Sequence, residues 1–289
     1  MMTLDEWRAT GDSFEWRGEQ IFFRTGGTGE PLLLVHGFPT ASWDWATVWP
    51  RLAARYRVLA LDMIGFGLSA KPRGFPYSIV AQADLFEAFL ARERVVGYRI
   101  LAHDYGNSVA QELLARDRGA IASVCFLNGG LFPESHRALP MQRLLASPLG
   151  PLIARFASYR TFAASMRRIW GTRPLPEAEL RTMWELASAS NGLAIMPKLL
   201  GYMAERRRHR ARWVGALVDA RVPLRLIDGL VDPVSGAHLV ARYRELVGAA
   251  DVVELPGVGH YPQVEAPDAV ADAALAFFAG SSGAPITSG

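Results

Sequence analysis

Short runs of apolar residues alternate along the chain with stretches in which apolar side chains recur every three or four positions. The runs are Leu32–Val35, Val58–Leu61, Arg99–Ala102, Ala122–Leu127, Leu224–Ile227 and Val252–Leu255. Several are apolar at consecutive positions, as strands buried on both faces require. Ahead of Arg99, the residues Ile79, Ala83, Phe86 and Leu90 fall at helical spacing and predict a crossover helix that covers a sheet. Strands alternating with helices predict an α/β fold, with a mostly parallel sheet and helices on both faces. A hairpin is expected first, pairing Ser13–Trp16 with Ile21–Arg24 across Arg17-Gly18-Glu19.

From about Leu131 to Leu217 the alternation stops. Arg155-Phe156, Met166-Arg167, Leu186-Ala187 and Leu199-Leu200 sit in helical patterns with no strand-like run between them. Flanked by two sheet strands, this segment predicts an inserted helical cap at the strand ends. The expected organisation is a core formed by residues 1–130 and 218–280, a cap over 131–217, and a disordered tail over 281–289, where small and turn-forming residues dominate.

The segment Arg99-Ile100-Leu101-Ala102-His103-Asp104-Tyr105-Gly106 carries the most chemistry. It runs a strand into a tight turn and then a helical pattern, with Ala102 and Gly106 as the small residues two positions either side of Asp104. A carboxylate at such an apex suits displacement at carbon, forming an ester on the enzyme that water then hydrolyses. That second step needs a base, and His260 in Gly257-Val258-Gly259-His260-Tyr261-Pro262 follows the last strand in a loop free enough to reach over the sheet. The orienting acid is read as Asp232, four residues into its loop, in preference to Asp228 at the strand terminus. His36, His103, His136, His209 and His238 are weaker base candidates. The backbone N–H groups of Phe38 and Tyr105 are the expected donors to developing negative charge.

Composition narrows the partners. The 289 residues are 50% hydrophobic, enough for one large domain, and the 31 basic residues nearly balance 28 acidic ones for a net charge of +3. Nucleic acid is therefore not an implied partner. The run Arg206-Arg207-Arg208-His209-Arg210-Ala211-Arg212 reads as a solvated helix face. The single cysteine, Cys125, lies in an apolar run and excludes a disulfide within the chain. No stretch of about eighteen apolar residues predicts a membrane span, the first residues lack a signal-peptide pattern, and a cytoplasmic location is expected. No histidine and carboxylate spacing suggests a metal, and no cofactor is expected.

The strings His36-Gly37-Phe38-Pro39, Asp62-Met63-Ile64-Gly65-Phe66-Gly67, His103-Asp104-Tyr105-Gly106 and Gly259-His260-Tyr261-Pro262 resemble the epoxide-hydrolase and haloalkane-dehalogenase branch of the α/β-hydrolases, over about residues 7 to 279. Within it, Leu127-Asn128-Gly129-Gly130-Leu131-Phe132-Pro133-Glu134 and Arg212-Trp213-Val214-Gly215-Ala216-Leu217 most resemble the mesoderm-specific transcript subgroup. The resemblance implies an α/β-hydrolase fold and an Asp104, His260, Asp232 triad. Dehalogenases of this branch cradle the departing halide with side-chain N–H donors, whereas Tyr105 and Phe38 stand at the two scaffold positions here. Epoxide hydrolases use two cap tyrosines on the ring oxygen, which points to Tyr202 and Tyr159, the cap's only tyrosines. The expected reactants are a small apolar organic substrate and water. A serine-type esterase using Ser108 and a ligand-binding protein with little turnover are the competing readings; Ser108 falls about one helical turn past the apex.

Overall fold

A computed structural model describes residues 2–117 and 119–281. Its centre is an eight-stranded sheet of β1 (Asp12–Trp16), β2 (Glu19–Gly26), β3 (Pro31–Val35), β4 (Arg57–Leu61), β5 (Tyr98–Ala102), β6 (Ile121–Leu127), β7 (Leu224–Gly229) and β8 (Asp251–Leu255). The spatial order is β1-β2-β4-β3-β5-β6-β7-β8. From β4 to β8 every neighbouring pair is parallel, while β2 joins both β1 and β4 antiparallel. Each predicted strand is present. The hairpin turn is one residue tighter than expected: Arg17 and Gly18 both have positive φ, 51° and 79°, the twist that suits a two-residue hairpin loop, and Glu19 is already in β2.

The doubly apolar strands follow from burial on both faces. On one face Leu33, Leu59, Ile100, Val124 and Phe126 pack against Phe86, Val109 and Leu113 of the helices Ile79–Arg92 and Tyr105–Arg116. On the other, Leu34, Ala60, Leu101, Cys125 and Ile227 pack against Val270, Ala274 and Phe278 of the helix Pro267–Gly280. Successive residues of a strand thus belong to different layers, as a period of two demands.

Between β6 and β7 the described elements are all helical, from Pro140–Leu145 to Arg210–Val218. Most of this insertion lies at the carboxyl ends of the strands, where Met166, Ile169, Leu180 and Met183 pack against Val234 and Tyr261. Its last helix, Arg210–Val218, turns back onto the sheet layer, and Trp213 Nε1 donates to Glu112 in the helix Tyr105–Arg116 at 2.7 Å. Ser281 caps the final helix, and the rest of the predicted tail, 282–289, lies outside the described residues. Among the described residues no helix is long and apolar enough to cross a membrane.

One close approach sets the sheet against the helix that follows β5. A Cβ on Gly106 would run into the backbone carbonyls of Val35 and His36 at the end of β3. Gly106→Ala is therefore expected to destabilise the protein by more than about 2 kcal/mol, by forcing apart packed backbone. Its denaturant midpoint, compared with that of Ala110→Gly in the same helix, measures this, and a midpoint matching wild type refutes it.

Candidate active site

Asp104 stands between β5 and the helix Tyr105–Arg116 with φ 47° and ψ −108°, a backbone conformation that non-glycine residues rarely adopt. The turn is fixed on every side. Asp104 N–H donates to the Asn128 carbonyl at 2.8 Å, His103 N–H to Val35 at 3.0 Å, and Gly106 N–H to His103 at 2.8 Å. Gly129 passes so close that a Cβ there would lie 2.5 Å from Asp104 Cα.

Phe38 N–H donates to Asp104 Oδ2 at 3.0 Å, so the loop after β3 already holds one carboxylate oxygen. The other, Oδ1, lies 3.8 Å from His260 Nε2, beyond direct hydrogen bonding. On its far side His260 Nδ1 lies 2.7 Å from Asp232 Oδ2. Asp232 is oriented in turn by Ser235 Oγ at 2.7 Å, by the N–H groups of Val234 and Ser235, and by Asn128 Nδ2 at 3.2 Å. The three residues read from the sequence are thus brought together, with Asp232 rather than Asp228 on the imidazole. Asp228 is fully buried in β7, neither carboxyl oxygen has a hydrogen bond among the described residues, and burial pushes its pKa far up.

The charges in this group are coupled. Burial alone would lower the pKa of His260, but Asp232 and then Asp104 outweigh it and carry the imidazole up to about 9. Burial likewise works against an ionised Asp232, yet His260 and the Ser235 and Val234 donors bring it down to about 2. Asp104 is also held below its ordinary value, burial being overcome by His260 and Arg206.

Further hydrogen bonds hold the imidazole loop. Glu265 accepts from Gly259 N–H at 2.9 Å, Tyr261 N–H at 3.0 Å and Gly171 N–H at 2.7 Å, the last being a residue of the insertion. His260 N–H donates to Ile169, also of the insertion, at 2.8 Å. His103 Nε2 lies 2.7 Å from the His260 carbonyl, which only accepts, so this nitrogen carries the proton. Burial first, and His260 next, lower the His103 pKa to about 4, which suits a neutral positioning residue rather than a base. His36 accepts from Met63 N–H at 3.0 Å and is likewise structural.

Two residues differ from their sequence-based expectation. Arg206, read as part of a solvated face, is 2% exposed. Its Nε donates to Ser108 Oγ at 2.6 Å, its Nη2 to the Asp104 carbonyl at 3.2 Å, and its guanidinium lies 4.4 Å over the Tyr202 ring. Arg207 and Arg208 are exposed as expected. The four-residue spacing from Tyr202, which puts both on one helix face, was the available signal. His136, read only as one of the weaker base candidates, has both ring nitrogens buried next to Arg206, with Asp104 and His260 among the charges acting on it. Ser108 sits inside the helix, committed to Arg206.

Of the two insertion tyrosines, only Tyr202 reaches this region. It is 1% exposed, its ring 5.1 Å from that of Tyr105 and 6.4 Å from that of Phe38. Tyr159 does not: its phenol donates to Glu177 at 2.5 Å in an outward cluster with Arg167 and Arg181. The helix Tyr159–Ile169 buries Ala163, Met166 and Ile169, and Tyr159, at its first position, packs at the edge of this contact with its hydroxyl turned to Glu177. A cavity of about 290 Å3 leads from Phe38, Pro39 and His260 outward between insertion side chains including Leu145, Met166 and Trp184. Its walls are mainly apolar. Among the described residues, no three side chains of His, Cys, Asp or Glu are grouped to hold a metal ion.

Residues 32–273 match the family model described as the alpha/beta hydrolase family, and the chain belongs to that family. It is 38% identical to the mesoderm-specific transcript protein of Mus musculus over 95% of this chain and 87% of that protein. It is 42% identical to the putative hydrolase LipZ of Mycobacterium tuberculosis, over 94% and 97% respectively. A haloalkane dehalogenase DbeA loop variant from Bradyrhizobium elkanii superposes with a TM-score of 0.79, at 21% identity over 94% of this chain and 96% of that one, a likeness of fold.

The coupling gives a measurable titration. His260 is expected to titrate near 9 in the free protein. In Asp104→Asn the same resonance should titrate at lower pH, because one of the two negative charges favouring imidazolium is gone. Histidine NMR over pH 5 to 10 measures both; an unchanged or raised value in the variant rules out the coupling.

Proposed function

We propose that the protein is a cofactor-independent hydrolase that forms an alkyl ester on Asp104, with epoxide opening as its reaction and residues 131–217 serving as a cap over the core formed by 1–130 and 218–280. The observation that carries this reading is the asymmetry of the Asp104 carboxylate: Oδ2 is held by Phe38 N–H, while Oδ1 is left facing His260. Oδ1 attacks a ring carbon, the C–O bond of the ring breaks, and the ring oxygen takes the phenolic proton of Tyr202. His260, oriented by Asp232, then removes a proton from water, and the hydroxide adds to the Asp104 ester carbon. The resulting negative charge falls on Oδ2, where the N–H of Phe38 and that of Tyr105 stabilise it. Collapse expels the alkoxide, which leaves as a diol with the remaining proton of that water. The proton on His260 returns to the Tyr202 phenolate, whose charge Arg206 offsets in the interval.

Alkylation also prepares the second step. Ester formation neutralises Asp104, which lowers the His260 pKa and frees the base when it is needed. Halide displacement at the same Asp104 is the second reading, because a haloalkane dehalogenase of Mycobacterium tuberculosis is 29% identical over 90% of the chain. Against it stand Phe38 and Tyr105, which offer no ring N–H for a halide.

Replacing His260 with Gln is expected to trap the ester, seen by mass spectrometry as a substrate-sized adduct on the peptide containing Asp104, with Asp104→Ala giving neither adduct nor turnover. A substrate that wild type turns over without any adduct in His260→Gln contradicts the covalent route.

Tyr202→Phe should lower kcat for an epoxide by about ten- to a thousandfold, the range for losing one donor to the reacting oxygen. Haloalkane turnover, where present, should fall far less. Equal losses on both substrates would reduce Tyr202 to a packing residue.

A further inference from the structure

The region around the outer end of the cavity has a composition unlike the rest of the chain. From Ser135 to Pro176 there is no Asp or Glu, but there are seven arginines. Among the described residues only one of these, Arg167, is in an ion pair, with Glu177 beyond the segment. The same stretch exposes large apolar side chains. Of the eight such residues on the described surface, five lie here: Met141, Leu144, Leu149, Leu152 and Phe156.

Their spacing makes them a surface rather than scattered contacts. Leu149, Leu152 and Phe156 are 60%, 54% and 77% exposed and fall at i, i+3 and i+7 along and just beyond the helix Gly150–Ala154, so they form one outward stripe. Ala154 of the same helix is buried beneath them, so the helix is apolar on both sides. Met141 and Leu144 extend the stripe on the helix Pro140–Leu145. Arg143, Arg155 and Arg160 stand exposed among them. Adjacent to this face, a second cavity of about 370 Å3 is lined by Arg143, Arg206, Arg207 and His136, with no carboxylate among the described residues of its wall.

We propose that this face, Met141 to Arg160, docks on an anionic phospholipid surface. The charge pattern commits it to that occupant. An uncharged apolar partner gains nothing from a segment free of acids, whereas a leaflet of anionic headgroups takes both the apolar stripe and the arginines around it. The arginine-lined cavity offers a place for a headgroup phosphate. Met141 and Phe156 also line the mouth of the apolar cavity that ends at Phe38 and His260. A docked molecule therefore opens its cavity toward the acyl region of the leaflet, and the substrate class becomes an amphiphile with a long apolar chain. That substrate assignment rests on the hydrolase reading above; the docking itself does not.

The test is sedimentation with vesicles, which needs no turnover. Full-length protein should pellet with vesicles of equal parts phosphatidylcholine and phosphatidylglycerol, not with phosphatidylcholine alone, and added salt should weaken the binding. Leu149→Ser with Leu152→Ser should reduce binding at least about tenfold, as should Arg155→Gln with Arg160→Gln, while turnover of a water-soluble substrate stays unchanged. These four side chains touch neither cavity, and all are exposed. Binding to neither vesicle, or full binding by both variants, overturns the proposal. Retention by polyglutamate without binding to anionic vesicles overturns it too, in favour of an acidic protein partner. If the protein binds the vesicles and turns over a water-soluble substrate but hydrolyses no amphiphile, the docking stands and the amphiphile assignment fails; if it binds and turns over nothing, the docking stands and the hydrolase reading fails.

Discussion

A backbone conformation costing about 1 to 3 kcal/mol is kept at Asp104 because everything adjoining it is committed to keeping it. The most economical of those commitments is Asn128, at the end of β6. Its carbonyl accepts the Asp104 N–H, and its amide bonds the Gly229 carbonyl, the Ser235 carbonyl and Asp232 Oδ2, while its Oδ1 accepts from Gly229 N–H at 2.6 Å. One buried side chain thereby ties the elbow of β5 to the loop after β7. The relative placement of Asp104 and Asp232 is set by the sheet spacing and this amide rather than by the two carboxylates themselves.

The electrostatics depend on the same closeness. Three ionisable groups removed from water would each lose their charged form if isolated. Together, two carboxylates flank one imidazolium, and each charge offsets the burial of its neighbour. Arg206 joins from the insertion, contributing positive charge on the helix side of Asp104. Neutral His103 adds no charge and acts only through the His260 carbonyl.

The sheet was legible from the chain because a buried parallel strand leaves an unbroken apolar run, and each of the six runs became a strand. The elbow was legible for a related reason: few sequences put small residues on both sides of a polar apex between a strand and a helix. Arg206, His136 and Tyr159 were not legible, because their roles depend on how short helices of the insertion turn toward or away from the sheet. A basic run reads as solvated unless something fixes its face, and here Tyr202 and the Ser108 hydroxyl fix the face of Arg206. Asn128 was not legible either, because an amide that ties two loops leaves no local pattern: its partners Gly229, Asp232 and Ser235 lie about a hundred residues further along the chain.

The insertion is fastened unevenly. Near Ile169 and Gly171 it shares hydrogen bonds with the imidazole loop, through His260 N–H and the Glu265 carboxylate. Any displacement of that end drags the His260 backbone with it and spoils the alignment on Asp232. Among the described residues, the end carrying Met141 and Phe156 has no such tie to the three site residues. If the cavity widens to admit a bulky molecule, the hinge belongs beside His260 and the swing belongs at the opposite lip. Entry and product release can then proceed while the imidazole stays in register.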